Sequence, residues 1–152
     1  MSMVLVIGVG NRWRGDDGAG PAVARALSEV PGIRVAECTG EPTEIMACWS
    51  GQDRVIVVDA VSAGGPPGSI HRFTANSPLP VPGRHSSHGM GVAEAVELAR
   101  SLGELPAQLT IYGIEPDRMT DGEGLSPSVR AAVAVVAAAI IDEVQGGTSG
   151  TH

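Results

Sequence analysis

The stretch Gly8–Gly20, GVGNRWRGDDGAG, follows the unbroken apolar run Met3–Ile7, MVLVI. A run of β-branched and aliphatic residues ending in glycines predicts a strand buried on both faces. A glycine-rich turn after such a strand is where a phosphate is expected. This turn instead becomes acidic, with Asp16 and Asp17 side by side. A dinucleotide fingerprint needs Gly-x-Gly-x-x-Gly. Here Gly8 and Gly10 are followed by Trp13, too large for close helix–strand packing. Gly10 and Gly15 have phosphate-loop spacing, but Asp16 stands where the lysine belongs. A carboxylate there repels a polyphosphate unless a cation intervenes, so direct nucleotide binding is disfavoured.

Outward from this turn, strands alternate with helices. GDDGAGPAVARALSEV predicts a helix with Pro21 in its first turn, where N–H groups lack intrahelical partners. GIRVAEC predicts a second strand, EPTEIMACW a short helix opened by Pro42, and RVIVVDA a third strand, again fully apolar until Asp59. GSIHRF is a shorter, more polar strand suited to an edge. HGMGVAEAVELARSLG is a helix with Gly103 as its C-cap. AQLTIYGIEP is the last strand. SPSVRAAVAVVAAAIIDEV is the last helix, with Ser126 as N-cap and Pro127 in its first turn. The pattern predicts an α/β fold: a three-layer α/β/α sandwich on a mostly parallel five-stranded sheet of order 2-1-3-4-5, the GSIHRF strand being the candidate antiparallel member. Residues 1–145 read as one domain and 146–152 as a flexible tail.

Ligands of such a sheet bind beyond the carboxyl ends of the strands where the winding reverses, here between strands 1 and 3. Asp16 and Asp17 lie just after strand 1 and Asp59 ends strand 3. Like charges sharing a crevice require a proton or a cation. RHSSHGMG places His85 and His88 just before a helix, and His88 is positioned to approach the same crevice. Asp17, Asp59 and His88 together make an oxygen-and-nitrogen ligand set with open positions, suited to a divalent metal. Blander readings exist for each. Asp16 or Asp17 could be a plain helix N-cap. Asp59 could be structural, an isolated His88 would be a surface residue, and His85 reads as one. Cys38 and Cys48 read as buried small hydrophobes. Ser86 and Ser87 lack a nucleophile elbow. Convergence of independent positions on one crevice is what favours the metal reading.

At these residues the chain resembles a known family. GVGNRWRGDDGAG, VIVVDA, SSHGMG and TIYGIEP, in that order, look like the [NiFe]-hydrogenase maturation endopeptidases, over Met3 to about Val144. The resemblance implies the fold above and a nickel-dependent, aspartic-type peptidase that removes a C-terminal extension from a hydrogenase large-subunit precursor after nickel insertion. By motif it assigns Asp17, Asp59 and His88 as both catalytic and nickel-recognising residues, with Asp16 in a supporting role. It implies that nickel arrives with the precursor, so the resting protein need not carry a metal. One departure is visible: many members carry Asp then Gly-Gly-Thr after the second strand, where this chain has ECTGEPTEI. Glu37 replaces the aspartate, and Pro42 makes the loop stiffer than a Gly-Gly pair. This loop is expected to govern which precursor is accepted. Rivals are a non-catalytic nickel-checking chaperone, favoured by the absence of a conventional nucleophile, and a self-sufficient metallohydrolase of small peptides.

Composition sets the outer bounds. The 152 residues are 43% hydrophobic and 18% charged, a globular balance. Net charge is −7 and every Lys/Arg position is arginine, which fits GC-rich coding and is also an occasional thermostability device. With no basic cluster, nucleic acid is an unfavoured partner. The two cysteines form neither a metal spacing nor a disulfide framework, as expected of a reduced, cytoplasmic protein. The opening MSMVLVIGVG is too short and glycine-interrupted for a signal peptide, and Val129–Ile141 is too short to span a bilayer. We expect a monomer that does not engage membranes.

Overall fold

The computed structural model describes residues 3–75, 90–117, 122 and 124–146. In chain order these form β1 (Val4–Val9), α1 (Ala19–Ala26), β2 (Ile33–Cys38), α2 (Pro42–Trp49), β3 (Arg54–Ala60), β4 (Ile70–Thr74), α3 (Met90–Leu102), β5 (Gln108–Ile114) and α4 (Pro127–Ile141). A 3-10 turn, Gly15–Gly18, precedes α1, and a π-helical turn, Asp142–Gly146, extends α4. The predicted α/β sandwich is present. β1 is buried along its whole length, as its unbroken apolar run requires. Burying each such valine or isoleucine contributes roughly 1.5–3 kcal/mol.

The strand order is β2-β1-β3-β5-β4, with β4 antiparallel to β5 and all other pairs parallel. The predicted order 2-1-3-4-5 is therefore wrong in its last two places. β5 supplies Leu109, Ile111, Tyr112 and Ile114 to the core and can be flanked on both sides. β4, IHRFT, has no fully buried residue and takes the edge, where polar side chains reach water. Two apolar layers cover the sheet. On one face α1 and α4 bring Val23, Leu27, Val129, Val136 and Ile140 against Val4, Val6, Ile56 and Val58. On the other, α2 and α3 bring Ile45, Trp49, Val92 and Val96 against Leu5, Ile7, Val55 and Val57.

The first predicted helix begins later than its sequence suggests. Gly15–Gly18 is a 3-10 turn, and α1 starts only at Ala19. Gly20 makes the junction: a Cβ there would lie 2.4 Å from the Val58 carbonyl oxygen and 2.5 Å from that of Val9. The close helix–sheet approach that Trp13 forbids is thus made seven residues later. Pro21 falls in the first turn of α1, as predicted. No helix among the described residues is long and apolar enough to cross a membrane.

Candidate functional site

The site is built at the carboxyl edge of β1 and β3. These strands pair in parallel, Gly8 opposite Val58, so the chain leaves β1 beside the end of β3. Asp59 sits there, 3% exposed, its Oδ1 accepting the Ala60 N–H at 2.8 Å. The 3-10 turn packs over the same strand ends and carries Asp17, 7% exposed. Asp17 Oδ2 accepts the Asn11 N–H at 2.9 Å, which orients its carboxylate. The turn is tight because Gly10, at φ 140°, allows it: a Cβ on Gly10 would stand 2.0 Å from the Asp17 carbonyl oxygen. Gly10 N–H also donates to the Cys38 carbonyl at 2.9 Å, joining the ends of β1 and β2.

Asp16 faces the other way. It is fully buried, and it accepts Ser126 N–H and Ser126 Oγ–H at 2.7 Å each and Asp117 N–H at 2.8 Å. It is therefore not a helix cap of its own segment; it pins the entry to α4. Ser126 holds the predicted N-cap position, but its hydroxyl is given to Asp16 rather than to the helix.

His88 and His85 lie outside the described residues. What is described is where α3 opens. A Cβ on Gly91 would stand 1.8 Å from the Gly40 carbonyl oxygen, so the first turn of α3 abuts the loop after β2. That loop is held: Glu44 Oε1 accepts both the Thr39 hydroxyl, at 2.6 Å, and the Thr39 N–H, at 3.0 Å. These two bonds, the hydroxyl's first, lower the Glu44 pKa from its ordinary value. Glu37 points away to the surface, 3.7 Å from Arg25. Cys38 is buried in the core beneath the loop. Burial pushes its thiol far above the ordinary range, with Cys48, Glu44 and Asp59 adding to the effect, so it stays neutral and unreactive.

Sequence reasoning missed one carboxylate at this edge. Glu115, just past β5, is 4% exposed; its Oε2 accepts Ala63 N–H at 2.8 Å and Gly65 N–H at 3.1 Å and meets His71 Nε2 at 2.8 Å. It organises the loop between β3 and β4. Its signal was the acidic residue closing an apolar strand, the same signal that singled out Asp59. A groove of about 690 Å³ between α2 and α3 lies at the opposite, amino edge, near Asp53 and Ala107, away from these carboxylates.

Among the described residues no group of three or more His, Cys, Asp or Glu is set to hold a metal. Asp17 and Asp59 supply two oxygen donors of the kind a divalent ion takes, and a complete set needs a further ligand. Buried carboxylates at a winding reversal, with no lysine in the glycine turn, mark a carboxylate-site α/β protein rather than a nucleotide binder. The model of the HycI hydrogenase maturation proteases matches residues 24–143. The chain belongs to the hydrogenase maturation protease family, and is a peptidase. It is similar to the hydrogenase 2 maturation protease of Escherichia coli, 28% identical over 136 residues, covering 86% of this chain and 83% of that one. It is also similar to the hydrogenase expression/formation protein HupD of Thiocapsa roseopersicina, 28% identical over 84% of this chain but spanning only 61% of the longer HupD. The fold is that of the hydrogenase maturating endopeptidase HybD of E. coli, with a TM-score of 0.77 at 22% identity over 95% of this chain and 93% of that one.

Proposed function

We propose that this peptidase removes the C-terminal extension of a [NiFe]-hydrogenase large-subunit precursor once nickel has been inserted, and that Asp17, Asp59 and His88 meet the precursor's nickel. The observation that carries the reading is the placement of Asp17 and Asp59, both buried, at the carboxyl edge of neighbouring central strands. Each carboxylate has one oxygen oriented by a backbone N–H, so it is presented in a fixed direction. Two buried like charges favour an incoming divalent ion strongly. Nickel arrives as part of the substrate and serves as the recognition element. Docked on these residues, it fixes the scissile bond in the crevice, which is the positioning contribution to rate. A metal so placed can also polarise a carbonyl or lower the pKa of a bound water to near 7. The enzyme works as a monomer in the cytoplasm.

The test is mass spectrometry of a large-subunit precursor incubated with the purified protein. Nickel-loaded precursor should lose the mass of its C-terminal tail, and nickel-free precursor should stay intact. Equal cleavage of both forms, or of neither, would overturn the reading.

A further inference from the structure

We propose that Glu115 is a positioning residue for the peptidase reaction: by holding the start of the connection between β3 and β4, it sets the aim of the Asp59 carboxylate. This rests on the role proposed above for Asp59, and adds a residue that acts through Asp59 without touching the precursor.

After Asp59 and Ala60 the chain enters the segment 61–69, VSAGGPPGS, which joins β3 to β4. β5 lies between those two strands, so the connection crosses the carboxyl end of β5, where Glu115 stands. Glu115 engages it with backbone and side chain alike. Its N–H donates to the Ser69 carbonyl at 2.9 Å, and its carbonyl accepts the Gly68 N–H at 2.8 Å. Its Oε2 accepts the Ala63 N–H at 2.8 Å and the Gly65 N–H at 3.1 Å. Val61 completes the grip. Its N–H donates to the Ile114 carbonyl at 3.0 Å, and its side chain fills the space over Gly113, where a Cβ would stand 2.8 Å from Val61 Cγ2. The residue before Val61 is Ala60, whose N–H orients the Asp59 carboxylate. The segment that aims Asp59 is thus the one that β5 and Glu115 hold down.

The segment needs such a hold. It contains Gly64, Gly65 and Gly68, with Gly64 at φ 93° and Gly68 at φ 85°, and glycine loses more freedom on ordering than any other residue. A carboxylate only 4% exposed is kept where it is hydrogen-bonded or paired. Besides the loop, Glu115 has His71, whose Nε2 lies 2.8 Å from its Oε2. Asp59 pairs with Gly113, and Gly113 with His71, so His71 lies in the same register row of the sheet as Asp59. At the same sheet edge Asp16 is a second buried carboxylate that ties one segment to others, here the turn of Asp17 to Ser126 and Asp117. Displacing a reacting group by about 1 Å can cost about 10²-fold in rate, so a tie one step behind Asp59 has a kinetic consequence.

The experiment compares Glu115→Asp, which keeps the charge and shortens the reach, with Glu115→Gln, which keeps the reach and drops the charge, and with Glu115→Ala. Cleavage of nickel-loaded precursor gives kcat and KM, and amide hydrogen exchange followed by NMR reads Ala60 itself. Glu115→Asp should lower kcat about tenfold and Glu115→Ala about a hundredfold, with KM within about threefold of wild type. Glu115→Gln should keep kcat within about threefold, because its amide oxygen still reaches the Ala63 and Gly65 N–H groups. Exchange at Ala60 should quicken roughly tenfold in Glu115→Asp, while the amides of β1 keep their wild-type rates. A Glu115→Asp enzyme as fast as Glu115→Gln, or unchanged exchange at Ala60, would overturn the positioning role and leave Glu115 as a tie for the loop alone. The Asp and Gln variants both retain an acceptor, so their comparison decides the matter if Glu115→Ala does not fold. Failure of wild type to cut any precursor would overturn the processing reading, and exchange at Ala60 would still decide whether Glu115 holds the Asp59 segment.

Discussion

Asp16 and Asp17 are chemically identical neighbours, and the fold gives them different partners. Asp16 is sealed inside and collects three hydrogen bonds from Asp117 and Ser126, more than a hundred positions along the chain. Asp17 accepts the N–H of Asn11, six residues back in its own turn. The first joins the glycine turn to the start of α4. In the proposed function the second meets the nickel that enters the crevice. A step of one residue in a 3-10 turn separates a buried tie from the carboxylate we propose for the nickel, and the same proposed division sorts the other carboxylates. Glu115 and Glu143 tie segments of the fold together; Asp59 lies near the end of β3, at the same sheet edge as the turn that carries Asp17.

The most forceful way to break this division is Asp16→Ala. It strands three donors, two of them on one residue, and hydrogen bonds to a charged group contribute about 1.5–3 kcal/mol each. Allowing for overlap, we expect a loss of about 3 kcal/mol. At roughly 2–4 °C per kcal/mol for a chain of this size, melting should fall by about 6–12 °C. A melting temperature equal to wild type would place Asp16 with Asp17.

A smaller effect sharpens the architectural side. Arg72 forms a two-pronged pair with Glu143 at 3.0 and 3.1 Å, and the Tyr112 hydroxyl donates to the same carboxylate. Burial raises the Glu143 pKa, but Arg72 and Tyr112 outweigh it and hold the carboxyl below its ordinary value. A depressed acid contributes stability that is present above its unfolded pKa, about 4.3, and is lost as pH falls through its folded value. Glu143→Gln should cost about 1–2 kcal/mol at neutral pH and make melting less pH-sensitive in that acid range. Tyr112, the only tyrosine, is pushed up to about 12, by burial first and then by Glu143. Its stabilisation is complete below pH about 10 and is lost as pH rises through about 12. Tyrosinate absorbance should show a midpoint near 12 in the wild type and a lower one in Glu143→Gln, with burial, the larger cause, still in place.

Smaller still is Glu44→Ala. Freed from Thr39, the loop after β2 should accept precursors less selectively, with stability changed by no more than about 0.5 kcal/mol. Competition between two precursors, scored by mass spectrometry, reads this out; unchanged preference would make the loop a connector. The smallest expected effect is that of His85→Ala, with cleavage rate and melting both close to wild type.

Much of this was legible in the residues. The apolar runs of β1 and β3 announce buried parallel strands, and Asp17, in the turn after β1, and Asp59, near the end of β3, fall where the winding reverses. The strand order was less legible, because a polar strand such as β4 reveals that it sits at an edge but not which strand it lies beside. That depends on β5, more than thirty residues later, being apolar enough to lie inside. The division between Asp16 and Asp17 was not readable from propensity, since both suit a helix start. It is decided by Ser126, whose hydroxyl looks like an ordinary cap until the fold brings Asp16 to it. Glu115 was overlooked because two of its partners, Ala63 and Gly65, use backbone N–H groups that leave no mark in a sequence, and the third, His71, is brought to it only by the pairing of β4 with β5.

The role proposed for Asp17 stands or falls on cleavage of nickel-loaded precursor by Asp17→Asn, a change that keeps the shape and removes the charge. This variant should melt within a few degrees of wild type and leave the precursor at full mass. Complete removal of the tail by this variant would contradict it.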